Sequence, residues 1–227
     1  MNILGFDTST EACTVAVLKN THCVSRFELT PRRHTECVLP WSEELLAQVG
    51  LEKTDLHAIA VGVGPGAFTG VRLAVSLAQG MALGLSLPLI GVSTLACIAQ
   101  ACEHDGPIAV LMDARMDECY VGFYQKQLGF VEALAPEQLL APETLSLPFA
   151  GDWIAVGSGL SSYAERLPAH VLSQFKRTES TALPQADALL QIALRDFNAG
   201  LALAPEQIQP TYLRDKVALT IKERENL

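Results

Sequence analysis

A short pattern that occurs twice limits the folds open to this chain. Asp7 and Asp113 each end an apolar strand, and each is followed by an acid after four residues and by Cys after six. Self-similarity of this kind indicates a duplicated structural unit. Because the matched pattern is short, the alternative to a duplication is that the two segments are similar by chance. A duplication predicts two related lobes, which meet in the polar break from Glu103 to Gly106.

The spacing of apolar residues predicts an α/β fold in both halves. Three short strands joined by tight turns occupy residues 2–29, and helix, strand, helix, strand and helix follow them. The predicted strand GPIAVLMD begins the second half of the chain. Further along, the sequence predicts a strand at WIAVG and helices near 160–167 and 184–198. We therefore expect two mixed-sheet lobes. Their predicted bounds are 1–103 and 104–205, with 206–227 as a tail that packs back on the lobes.

Composition excludes several classes of protein. Of the 227 residues, 49% are hydrophobic and 18% are charged, which is typical of a globular chain. The net charge of -9 repels a phosphate backbone, so we do not expect this chain alone to bind nucleic acid. The opening MNILGFD has no basic or cleavable signal, so we expect a cytoplasmic protein. The six cysteines form no C-x-x-C pair and are interpreted as reduced, buried side chains, with a nucleophilic Cys as the alternative.

A glycine-rich loop runs from Gly62 into a long apolar segment. Its G-x-G-x-x-A spacing resembles a dinucleotide fingerprint, but no Asp or Glu occurs between Asp55 and Glu103 to complete that motif. Gly70 is not followed by Lys, so a P-loop is excluded as well. The start of a helix after such a loop still favours an anion. The candidate anion or nucleotide residues are Asp7, Ser9, Thr10, Gly64, Gly66, Thr69 and Arg72.

Arg72 is the single formal charge from Leu56 to Cys102. It lies in a first helical turn, where the helix dipole disfavours a cation. A negative partner is therefore expected. The alternatives are an internal ion pair, with a residue such as Asp7, and a bound phosphate or carboxylate.

The uncharged stretch from Leu73 to Gly91 is long enough to span a membrane. Its Gly and Pro residues divide it into a helix and a strand, so we predict no membrane span. Within the helix, Ser76, Gly80 and Gly84 repeat at intervals of four and form a face without large side chains. This face packs either inside its own lobe or against another subunit.

Several segments resemble one family, and together they span almost the whole chain in order. They are ILGFDTSTEACTVAV, RRHTECVLP, GVGPGAFTGVRLAVSLAQG, LPLIGVSTL, DARMDECYVG and PTYLRDKVA. On these segments the chain resembles the bacterial TsaB (YeaZ) family of tRNA threonylcarbamoyladenosine biosynthesis proteins. The resemblance implies a two-lobed actin-like, Hsp70-like and sugar-kinase-like (ASKHA) fold.

The resemblance also implies a function. It predicts a non-catalytic subunit that binds and stabilises a TsaD-like catalytic subunit, supports docking of a TsaE-like ATPase, and meets tRNA only through the complex. Alone, the chain is expected to form a homodimer. No cofactor is assigned to the chain itself, although the complex leaves room for ATP or ADP. The binding face is predicted on the helices Arg33 to Val49 and Val71 to Leu83, through Cys37, Val38, Trp41, Leu45, Ser76, Gly80, Leu83 and Gly84.

The related subunit TsaD carries a metal-binding H-x-x-x-H after a similar Gly-Val step. Here Thr94 and Ile98 occupy those positions. We therefore predict no metal site and no catalytic residue. The alternatives are a metal-dependent glycopeptidase and, with less support, a sugar or acyl kinase that turns over ATP.

Overall fold

The computed structural model describes residues 1–30 and 33–214 of the chain. Its strands are β1 Asn2–Asp7, β2 Ala12–Lys19, β3 His22–Leu29, β4 Ala58–Gly62, β5 Leu89–Val92, β6 Gly106–Asp113, β7 Cys119–Gln127, β8 Phe130–Ala133, β9 Gln138–Leu140, β10 Trp153–Val156 and β11 Phe175–Glu179. Its helices are α1 His34–Gln48, α2 Phe68–Leu85, α3 Thr94–Ala101, α4 Gly159–Ser162, α5 Ala169–Leu172 and α6 Ala186–Asn198. The predicted order of elements in the first half is confirmed. The helix predicted near 160–167 is shorter, because α4 ends at Ser162.

The two sheets repeat one topology. The first has the strand order β3-β2-β1-β4-β5, and the second has the order β11-β10-β6-β7-β8 with β9 beside β7. In the first sheet, β3, β2 and β1 are antiparallel, and β4 and β5 continue the sheet parallel to β1. In the second sheet, β8, β7 and β6 are antiparallel, and β10 and β11 continue it parallel to β6. The turn after Asp113 is one residue shorter than the turn after Asp7, since Asp7 pairs with Thr14 and Asp113 with Cys119. The duplicated mixed-sheet fold expected from the short repeat is therefore present.

The elements stack in five layers. Helices α1 and α2 cover the outer face of the first sheet, and α4 and α5 cover the outer face of the second. Helices α3 and α6 lie between the two sheets in one continuous apolar core. Alternation along β1 explains this division, since Ile3 belongs to the central core and Leu4 to the outer one. Although α6 lies in the second half of the chain, it packs on the first sheet.

The end of the described chain crosses the first lobe as a strap, which we define as residues 205–214. Gln79 on α2 donates hydrogen bonds of 2.9 Å and 3.0 Å to the carbonyls of Pro205 and Ile208. Thr211 N donates to Val63 O at 2.7 Å. This part of the predicted tail packs back on the first lobe, and the rest of the tail, 215–227, lies outside the described residues.

Helix α2 is long and apolar enough to cross a membrane by length and composition alone, with a mean hydropathy of 1.3. Its buried residues, among them Ala74, Ala78 and Ala82, pack on the first sheet. It ends before β5, so the apolar stretch is a helix followed by a strand, as predicted. The apolar character of α2 therefore contributes to the core of a lobe.

Candidate functional site

Asp7 lies at the end of β1 in an enclosed hydrogen-bond network. Its side chain is fully buried, and Oδ1 accepts hydrogen bonds from Ser9 N at 2.7 Å and Ser9 Oγ at 2.5 Å. Thr94 Oγ1 donates to Oδ2 at 2.9 Å. Burial raises the pKa of the Asp7 carboxyl, against the lowering effect of these hydrogen bonds. The carboxyl is occupied by its own chain and does not reach a ligand site.

The glycine-rich loop is filled by the turn between β1 and β2. A Cβ on Gly66 would lie 2.5 Å from Ser9 O, and a Cβ on Gly70 would lie 2.1 Å from Thr8 O. The loop also donates a hydrogen bond from Ala67 N to Ser9 O at 2.7 Å. Glycine is required here because two backbone segments of the same chain come into contact. The loop is therefore not an open cradle for a phosphate.

A cleft of about 720 Å³ lies between the lobes beside this loop. Ser9, Thr10 and Gly66 lie on its wall, whereas Asp7, Gly64, Thr69 and Arg72 do not line it. Gly64 is buried, and its carbonyl accepts a hydrogen bond from Thr94 N at 2.9 Å. The seven residues suggested for an anion or nucleotide are thus not brought together in one site. A role of these residues in binding such a ligand stays a prediction.

Arg72 makes no ion pair with Asp7, so that suggested partner is wrong, and within the described residues no other acid pairs with it. Arg72 is exposed on α2, and its Nε donates a 2.6 Å hydrogen bond to Tyr212 Oη. Its guanidinium carbon lies 3.7 Å from the centre of the Phe68 ring. The reason is geometric: Asp7 is satisfied on the buried side of the loop, whereas Arg72 extends from the outer face of the helix.

The face of α2 that carries Ser76, Gly80 and Gly84 is open to solvent. No atom of the described residues lies within 4 Å of the position of a Cβ at Gly80 or Gly84. Leu83 on the same face is 64% exposed. Packing of this face inside its own lobe is therefore excluded for the described residues, and the subunit interface remains as the other prediction.

The residues of α1 that were predicted for a partner face inward. Cys37, Val38, Trp41 and Leu45 are at most 5% exposed and belong to the core between α1 and the first sheet. Their prediction as interface residues is wrong. A stripe of apolar residues on a helix marks the face that is buried, but it does not say what buries it. Here the chain's own first sheet covers that face.

The turn from β6 to β7 has a conformation that the sequence did not indicate. Arg115, Met116 and Asp117 have φ angles of 60°, 54° and 61°, in the left-handed region that L-residues rarely adopt. Arg214 at the end of the strap donates 3.1 Å hydrogen bonds to the carbonyls of Ala114 and Arg115. Sequence analysis also missed Phe68 and Tyr212, whose rings lie 5.7 Å apart beside Arg72. The segment PTYLRD, which carried part of the resemblance, was the available signal for Tyr212.

Metal-binding chemistry has few candidates in this fold. Thr94 is bound to Asp7, and Ile98 is buried in the central core. Within residues 1–30 and 33–214, no group of three or more His, Cys, Asp or Glu side chains is arranged to hold a metal ion. Four of the cysteines (Cys13, Cys37, Cys97 and Cys119) are buried, as expected, while Cys23 is exposed. Burial raises the pKa of Cys13 to about 12, so its thiol stays protonated at neutral pH.

Comparison with known proteins supports this picture. The family model described as TsaD, tRNA N6-adenosine threonylcarbamoyltransferase, matches residues 27–222. The tRNA threonylcarbamoyladenosine biosynthesis protein TsaB of Escherichia coli strain K12 is 40% identical over 96% of each chain. The protein of the same name from Haemophilus influenzae is 34% identical over 96% of this chain and 95% of its own.

A solved structure agrees with the same assignment. YeaZ from Pseudomonas aeruginosa is 39% identical and superposes with a TM-score of 0.88, covering 93% of this chain and 99% of its own. Together with the duplicated sheets, these matches confirm the expected ASKHA fold. The chain belongs to the TsaB (YeaZ) family of tRNA threonylcarbamoyladenosine biosynthesis proteins.

Proposed function

We propose that this chain is a non-catalytic, cytoplasmic subunit of the machinery that transfers the threonylcarbamoyl group to tRNA. In this role it binds and stabilises a TsaD-like catalytic subunit, supports the docking of a TsaE-like ATPase and meets tRNA only through the complex. The name of its relatives places them in this pathway. The negative net charge is consistent with indirect contact to tRNA.

The open face of α2 is the observation that carries the proposal. Glycine in a helix interior costs about 1 kcal/mol relative to Ala, so two of them on one face require a reason. Among the described residues, neither Gly80 nor Gly84 has a neighbour within 4 Å of its Cβ position, so close packing against that part of the lobe is not the reason. A partner helix that approaches the backbone closely would supply it. Without the catalytic subunit, the same face would pair with a second copy in an isologous dimer.

The chemistry of the buried network favours a subunit over an enzyme. Asp7, the carboxyl that the sequence suggested for a kinase-like reaction, is buried and enclosed by Ser9 and Thr94. The glycine-rich loop next to it holds the chain's own turn. Neither a glycopeptidase nor a sugar or acyl kinase is favoured by a specific contact among the described residues.

The test is the variant Gly80→Leu, measured with the TsaD-like subunit of the same organism. A Leu side chain would hold the partner helix away from α2, and overpacking typically costs about 1 to 3 kcal/mol. We expect roughly 10- to 100-fold weaker binding by calorimetry, with a free chain that stays folded. The matched control is Ala164→Leu, which adds the same exposed side chain on the second lobe.

Two results would contradict the proposal. A Gly80→Leu chain that unfolds alone would mean that the face packs within its own lobe. A folded variant that binds the catalytic subunit as tightly as the Ala164→Leu control would place the interface elsewhere. Addition of the TsaE-like ATPase to both mixtures tests docking, which we expect only where the first complex forms.

A further inference from the structure

Arg72 is held in one orientation at the beginning of the open α2 face. Its guanidinium carbon lies 3.7 Å from the centre of the Phe68 ring and 5.5 Å from that of Tyr212. The Tyr212 hydroxyl accepts a 2.6 Å hydrogen bond from Nε. One edge of the guanidinium is thus fixed. Its two Nη atoms make no hydrogen bond within the described residues, so a pair of N–H donors is available to a ligand.

Within residues 1–30 and 33–214, the charge of Arg72 has no carboxylate partner. Arg72 is the fifth residue of α2, just past the first turn, and so lies closer to the positive than to the negative end of the helix dipole. Among the described residues, no carboxylate forms an ion pair with it. A cation in this position is stabilised when an anion is added. Arginine prefers a planar anion that accepts two parallel hydrogen bonds, as a carboxylate does.

The strap fixes the orientation of the Arg72 side chain, because Tyr212 lies on a segment that is itself anchored. Tyr212 follows Thr211, whose N–H donates to Val63 O at 2.7 Å. Further back, Gln79 on α2 binds the carbonyls of Pro205 and Ile208. The segment that orients Arg72 is therefore anchored to the same helix and loop. Orienting a side chain before binding reduces the entropy lost on association.

We infer that Arg72, oriented by Phe68 and Tyr212, binds an Asp or Glu side chain on the helix of the catalytic subunit that packs on α2. The inference rests on the proposed function, because it names the chemistry of the partner at that same face. Gly80 is eight positions after Arg72, or about 12 Å along the helix axis. The partner helix therefore carries a small residue where it crosses Gly80 and an acid roughly 12 Å from that crossing.

The charge pattern of the chain selects this occupant over two others. The α2 helix of a second copy offers no acid, because no Asp or Glu occurs between Asp55 and Glu103. A phosphate of tRNA is disfavoured by the net charge of -9. An acidic side chain of a different protein remains as the partner that fits.

The experiment is calorimetry of single variants with the purified TsaD-like subunit. Arg72→Gln should bind at least about 30-fold more weakly, because it leaves a buried carboxylate of the partner unpaired. Arg72→Lys should also bind weakly, since Lys keeps the charge but loses the planar fork. Tyr212→Phe removes only the orienting hydroxyl and should weaken binding about 2- to 10-fold. Arg177→Gln, an exposed arginine on β11 of the second sheet, is the control that should bind normally.

A charge reversal identifies the partner residue. Arg72→Glu should abolish binding, and one Asp→Arg or Glu→Arg change in the catalytic subunit should restore it. A complete scan of the acids on the subunit's exposed helices without rescue would overturn the inference. So would an Arg72→Gln variant that loses affinity for tRNA, or for itself, while its affinity for the subunit is unchanged.

The failure of the inference can be separated from the failure of the proposed function. If Gly80→Leu loses binding but Arg72→Gln binds like the Arg177→Gln control, α2 is the interface and Arg72 is not its anion site. If the unaltered chain does not bind the TsaD-like subunit, both ideas are wrong. The melting temperature of each variant is measured to show that the chain is folded, and it should match the melting temperatures of the control variants.

Discussion

Thr8 and Gly70 are hydrogen-bonded and lie so close that Gly70 has no room for a side chain. The Thr8 hydroxyl donates a 2.8 Å hydrogen bond to Gly70 O, and a Cβ on Gly70 would lie 2.1 Å from Thr8 O. The turn after β1 is thereby fixed against the first turn of α2. This contact explains why a loop that resembles a phosphate cradle serves here to join two parts of one lobe.

Substitution by alanine should have opposite effects on the stability of the protein at two glycines of α2. Gly70→Ala forces a methyl group into Thr8 O, and we expect it to reduce the free energy of unfolding by at least about 2 kcal/mol. Gly80→Ala, in open space on the same helix, should raise it by about 0.5 to 1 kcal/mol. Urea unfolding measures both. Equal effects of the two changes would contradict the packing described for Gly70.

The Asp7 carboxyl should produce a specific pH dependence. Burial raises its folded-state pKa above its unfolded value of about 3.9. The folded chain therefore holds this proton more tightly, and the resulting stability is fully present below about pH 4 and lost as pH rises through the folded pKa. Asp7→Asn keeps the shape but cannot ionise. Relative to wild type, this variant should gain stability from pH 4 to pH 8.

Urea unfolding of wild type and Asp7→Asn across that pH range checks the prediction. The difference between the two chains cancels the carboxylates that they share. Asp152→Asn, on an exposed acid of the second lobe, is measured in parallel as a surface control for the Asp→Asn change. A flat difference for Asp7→Asn would mean that the Asp7 carboxyl titrates as it does in the unfolded chain.

Local patterns identified the elements but not what lies against them. Glycine punctuation and apolar spacing are properties of neighbouring residues, so the helix and strand within Leu73 to Gly91 could be predicted. The contact of Gly66 with Ser9 joins residues far apart in sequence, and it decides whether the loop holds a phosphate or the chain itself. The same limit explains α1, where periodicity finds the buried stripe around Trp41 but not the sheet that covers it.

Metal removal should leave the protein unchanged. Thr94 is engaged by Asp7 and Ile98 is in the central core, so neither position supplies a ligand. We expect no stoichiometric zinc or iron in protein purified without chelators, by elemental analysis. Treatment with EDTA should alter neither the melting temperature nor binding of the TsaD-like subunit. One tightly bound metal per chain, lost together with a peptidase activity, would favour the glycopeptidase alternative.

The central layer joins the two lobes more closely than their sequence ranges imply. Leu190 on α6 is 1% exposed and lies in a core that includes Ile3 of the first sheet and Ile108 of the second. The side chain of Leu190 also fills the space above Gly5 on β1. A core shared between two sheets couples their stability, because neither can lose the central helices without exposing its inner face.

This coupling predicts one unfolding transition for both lobes. The chain has two tryptophans: Trp41 on α1 of the first lobe and Trp153 on β10 of the second. Trp41→Phe and Trp153→Phe therefore give single-tryptophan chains that report on one lobe each. In both backgrounds, Leu190→Ala should lower the free energy of unfolding by the same amount, about 2 to 5 kcal/mol. Fluorescence during urea unfolding is the measurement, with coincident midpoints expected from circular dichroism. Two separate midpoints, or a Leu190→Ala effect confined to one reporter, would show that the lobes unfold independently despite their shared core.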